Sequence, residues 1–79
     1  MLNEAVKVRA DFTGGRITPI QFRRGDCVYR VRRVNGSWED REGRHRNVWF
    51  AVTADTGDVF RLCFKSGDML WWLESVALP

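Results

Sequence analysis

Apolar and polar residues alternate along most of this chain with a period of two, the spacing of strands that carry one buried and one wet face. Val6, Val8, Ala10 and Phe12 alternate with Lys7, Arg9 and Asp11, which predicts a first strand. Thr13-Gly14-Gly15 follows, and two adjacent glycines supply the positive φ angles that a tight hairpin needs. The return segment, 16–24, has Ile17, Ile20 and Phe22 as its apolar members and carries Pro19. Proline donates no ladder hydrogen bond, so it marks an edge or a bend. Arg24-Gly25-Asp26 reads as the next turn.

The stretch 26–39 joins the strongest strand signal to the densest positive charge. Tyr29 and Val31 keep the period of two, but Val34 falls on the wrong parity. One extra residue near Arg32 and Arg33, a β-bulge, restores the inward phase and bends a long strand. A helical reading of Val28, Val31 and Val34 competes, but β-branched residues flanked by Gly25 and Asn35-Gly36 favour a strand. Asn35-Gly36 fits either a hairpin turn or a kink through which the strand continues to Trp38. The segment 40–47 is almost wholly charged or polar, includes Gly43, and reads as a mobile solvated loop.

Val48, Phe50 and Val52 form the next strand. Across Asp55-Thr56-Gly57-Asp58 they face Phe60, Leu62 and Phe64, the clearest hairpin in the chain. Ser66-Gly67-Asp68 turns into a last strand, 69–76, where Trp71 and Trp72 must point to opposite faces. No stretch carries a capped helical period. The fold class is therefore all-β: one domain over 1–79, a five- or six-stranded antiparallel meander, strongly twisted or curled into a small barrel. Short turns make consecutive strands neighbours.

Four tryptophans and five phenylalanines in 79 residues let a few large side chains fill a small core, each burying roughly 150–250 Å². Cys27 and Cys63 form no CxxC pair and no signal peptide precedes them, so free thiols in the cytoplasm are expected. A disulfide between neighbouring strands is the less favoured alternative. No apolar run approaches the roughly 20 residues of a spanning helix, so no membrane association is expected.

Enzymatic inventories are missing. His45 is the single histidine and sits in the polar segment without a nucleophile or paired-carboxylate motif around it. Asp40 and Glu42 beside it read as solubility rather than acid-base chemistry, which needs an oriented environment. Cys27, Cys63 and His45 lack the fourth ligand of a closed metal site. No catalytic residue, metal, cofactor or small-molecule substrate is expected.

The net charge is +3, and arginine supplies nearly all of the positive charge; its planar fork suits phosphate, carboxylate and stacked bases. By parity Arg30 and Arg32 share an exposed face, opposite Tyr29 and Val31, with Arg23 or Arg24 beside them. Arg41, Arg44 and Arg46 extend a positive stripe into the polar segment, and Trp49 and one of Trp71 and Trp72 are exposed aromatic candidates. Such a stripe with stacking aromatics is how small β-barrels hold single-stranded nucleic acid. The same Trp and Arg surface also suits a protein partner or self-association. The plain alternative is that interleaved Asp and Glu make the arginines ordinary edge protection and that Trp49 covers a second small core.

The run Gly15-Arg16-Ile17-Thr18-Pro19-Ile20-Gln21-Phe22, then Arg24-Gly25, Tyr29, Val31, Val34 and Trp38, and finally Trp71-Trp72-Leu73-Glu74 resembles a family of small bacterial all-β domains of unknown function. That family also occurs at the C-terminal end of Y-family, DNA-polymerase-like proteins of the damage-tolerance type. The resemblance implies an accessory module associated with DNA-repair machinery and transfers no site residues. It does not reach the first strand.

Overall fold

The computed structural model describes residues 3–77. Six antiparallel strands follow one another: β1 (Glu4–Thr13), β2 (Arg16–Arg24), β3 (Cys27–Glu42), β4 (His45–Ala54), β5 (Val59–Lys65) and β6 (Leu70–Ala77). Each pairs with the next, and Glu4–Val6 of β1 close the barrel against Leu73, Trp72 and Trp71 of β6. The meander with short turns is thus complete, and it is the local hairpins that order the strands.

Gly14 and Gly15 both hold positive φ, 59° and 77°, as a two-residue turn matched to the strand twist requires. The polar segment 40–47 is not a loop. The β3–β4 hairpin continues through Asp40↔Asn47, Arg41↔Arg46 and Glu42↔His45, leaving Gly43-Arg44 as the turn. Gly43 adopts φ 62°, so the glycine that suggested a loop is a hairpin glycine. Charge on both faces of the hairpin hid the period of two.

The core is stacked in three layers read from the register. Phe60 faces Val52 and Val76, Leu62 faces Phe50 and Leu73, and Phe64 faces Val48 and Trp71. All except Val76 are buried, and Phe22, Tyr29, Val31 and the inward residues of β1 pack on them. Phe22 stacks on Tyr29 at 5.1 Å between centroids and meets Phe60 edge-on at 4.9 Å.

Two bulges in β3 bring the inward phase back. The register shifts between Val31 and Arg33 and again between Val34 and Gly36, so Arg32 and Asn35 are the extra residues and Val34 lands opposite Val52. The strand continues past Asn35-Gly36 rather than turning. A third shift, opposite Arg9 and Ala10, skips Ile20. Ile20 is therefore 46% exposed while Pro19 is fully buried, the reverse of the expected apolar pattern of β2. Phe12, near the end of its strand, is 59% exposed and meets Phe64 edge-on at 5.9 Å.

Candidate nucleic-acid interface

The outward residues of β1, β2 and β3 form two cross-strand rows. Lys7, Arg23 and Val28 make one, and Arg9, Gln21 and Arg30 the other. Residues directly opposite on paired strands project from the same face, and the alternate positions Val8, Phe22 and Tyr29 lie in the core. Four of the six side chains are therefore cations on one surface, all exposed. The ion pairs among the described residues are Arg24–Glu4, Arg46–Glu39 and Arg61–Glu74, and none uses Lys7, Arg9, Arg23 or Arg30. The Asp55 Oδ1 accepts from the backbone N–H of Arg30 at 3.4 Å.

The expected stripe divides into separate groups. Arg23 and Arg30 share this face, joined by Lys7 and Arg9, which the chain order did not associate with them. Arg24 takes the other side of β2 and donates to both carboxylate oxygens of Glu4, at 2.9 and 3.2 Å. Arg32 is a bulge residue whose Nη2 donates to the Asp55 carbonyl at 2.9 Å. Arg41 and Arg44 belong to the β3–β4 hairpin end and are exposed there. Arg46 points back along the hairpin to Glu39, donating at 2.7 and 3.0 Å, and those hydrogen bonds hold the Glu39 carboxyl below its usual range. His45 sits beside the β5–β6 turn, so close to Gly67 that a Cβ there would meet its ring at 3.0 Å.

Trp49 belongs to a different surface. A cross-strand row runs around the outside of the barrel through Trp38, Trp49, Cys63, Trp72 and Ala5. The Trp38 and Trp49 rings are nearly parallel, 8° apart with centroids at 6.2 Å. Trp49 Nε1 donates to Glu74 at 3.1 Å, and the Arg61 guanidinium lies 4.6 Å over Trp38. On the far side Lys65 Nζ is 5.6 Å from the Trp72 ring. Beneath the indoles Cys63 is 0% exposed although it points away from the barrel interior. The indoles thus form a second apolar layer outside the barrel, with Trp71 inside the main core and Trp72 in the outer layer. Trp38, not singled out as a site residue from the sequence, is its most open member. Its parity was hidden by the bulges that precede it.

Both cysteines are free, Cys27 exposed at the start of β3 and Cys63 under the indoles. No group of metal-ligating side chains is brought together among the described residues, and no helix there is long and apolar enough to cross a membrane. No protein-family model, curated protein or solved structure matches the chain.

Proposed function

We propose that this protein is a non-catalytic binding module that holds single-stranded nucleic acid on the outward face of β1–β3. The observation that carries the reading is the placement of Lys7, Arg9, Arg23 and Arg30 together without a carboxylate partner among the described residues. Like charges directly opposite one another weaken a sheet, and Lys7 and Arg23 are such a pair, which makes sense where an anion is to be bound. Phosphate is that anion in nucleic acid, and neutralising it releases counterions. The resemblance to a bacterial domain family found beside damage-tolerance polymerase-like proteins points the same way. Two unbridged cysteines fit a cytoplasmic location, which belongs to the same reading.

A second reading is a protein-interaction module, favoured by Trp38, which is 41% exposed beside Arg61. Tryptophan and arginine are the residues that dominate interface hot spots.

The test is fluorescence anisotropy of labelled single-stranded and duplex oligonucleotides at two salt concentrations. Engagement of all four cations predicts a slope of log affinity against log salt of about −3 for single strands. Binding that is salt-dependent and stronger for the single strand supports the reading. No binding at low salt overturns it, and loss of a protein partner on Trp38→Ala would then support the second.

A further inference from the structure

The Lys7–Arg23 pair stands as a ridge between two surface depressions. On one side lies a hollow of about 480 Å³ that reaches Ala5, Val6 and Leu70. On the other lies one of about 320 Å³ that reaches Val8, Arg9, Gln21 and Val28. Lys7 and Arg23 wall both. Each hollow has an apolar side chain held open to solvent, Leu70 at 45% and Val28 at 54% exposure. The chain enters β6 through Met69, a non-glycine residue in the left-handed region at φ 55°, a conformation that costs free energy and collects at functional positions.

We infer that this ridge and its two hollows bind one dinucleotide step of a single strand: the linking phosphate on Lys7 and Arg23, one base against Leu70, the next against Val28. The inference rests on the nucleic-acid reading and deepens it. Charge complementarity identifies the occupant, since two cations with no carboxylate between them favour an anion, the hollow at Leu70 offers apolar contact, and the hollow at Val28 offers apolar contact beside the further cation Arg9. A lone phosphate would leave both hollows unused. A phosphate flanked by two flat apolar groups uses all three places. A paired base in a duplex has its faces covered by stacking and could not occupy either hollow, so the site selects unpaired nucleotides.

The experiment compares a labelled oligothymidylate with an abasic oligomer of the same length, titrated with the full chain and with Leu70→Ser, Val28→Ser and Lys7→Ala. The wild-type protein is expected to bind the thymidylate about tenfold more tightly. Leu70→Ser and Val28→Ser should each lower thymidylate affinity about threefold, the change expected for roughly 25 Å² of apolar contact, and leave abasic affinity unchanged. Lys7→Ala should weaken both. Equal wild-type affinity for the two oligomers, or thymidylate binding indifferent to both serine variants, overturns the dinucleotide site while leaving the basic face intact as a nucleic-acid surface. Failure to bind either oligomer overturns the reading on which it rests. Unchanged thermal unfolding of the variants separates a weakened site from misfolding.

Discussion

Lys7 and Arg23 are direct cross-strand partners on the outer face of β1 and β2, two cations set opposite each other without a carboxylate between them. Such a pair costs the sheet a few tenths of a kcal/mol to about 1 kcal/mol relative to a neutral one. Converting it to an ion pair should therefore separate stability from binding. Lys7→Glu is expected to raise stability by about 0.5 kcal/mol and to lower oligonucleotide affinity about tenfold at low salt. Denaturant unfolding and anisotropy on one protein preparation measure both. A variant that is less stable and binds as before would remove the anion explanation for the pair.

Because the cations stand in two rows, their joint removal should appear in the salt dependence. Arg23→Glu with Arg30→Glu takes one cation from each row and should flatten the salt slope by about 1.5, near 0.7 for each phosphate no longer neutralised. Arg41→Glu with Arg44→Glu, at the hairpin end, should leave that slope nearly unchanged. Equal effects from the two double variants would mean that general charge, rather than the β1–β3 face, holds the ligand.

Strand order was legible because each hairpin is local and announces itself: alternating apolar residues, a glycine-bearing turn, alternation again; whether the twisted sheet closes was not, since closure rests on the long-range pairing of β1 with β6. The bulge near Arg32 could be read from the wrong parity of Val34. The site was less legible, since a face is made by register across strands and not by order along one. Arg23 and Arg30 could be placed on a surface from their own strands, but joining them to Lys7 and Arg9 required the pairing of β1 with β2, including the shift at Ile20. Arg24 and Arg46 were read into the open stripe because Glu4 is far from Arg24 in sequence and the hairpin that brings Arg46 back to Glu39 read as a loop. The 40–47 segment misled because hairpin residues beyond the core need no apolar face.

Glu74 joins Trp49 and Arg61 on the outer layer, accepting the indole N–H at 3.1 Å and lying 3.8 Å from the guanidinium. Glu74→Ala leaves a part-buried indole N–H without its acceptor and is expected to cost about 1–3 kcal/mol. Glu74→Gln keeps an acceptor and should recover most of that. Denaturant midpoints supply the comparison, with tryptophan emission reporting the local change. Equal destabilisation in both variants would assign the effect to charge instead of the hydrogen bond.

Cys63 gives the outer layer a chemical signature. It is fully buried beneath the indoles, and burial, with a smaller contribution from the Glu74 charge, pushes its thiol up to about 11 from an ordinary value of 9.0. A raised folded-state pKa means that the native state holds the proton more tightly than the unfolded chain. The associated stabilisation is whole below the unfolded value and is lost as pH rises from about 9 towards 11, amounting to about 2 kcal/mol across that window. Cys63→Ala removes the titration, so its stability deficit against the wild type should shrink as pH climbs through the window. Thiol labelling provides the independent check, because thiolate is the reactive form. At pH 8 one thiol, Cys27, should react promptly and Cys63 only on unfolding. Prompt reaction of both thiols in the native protein would show that the indoles do not seal the layer, and a pH-independent deficit for Cys63→Ala would show that its burial does not govern the titration.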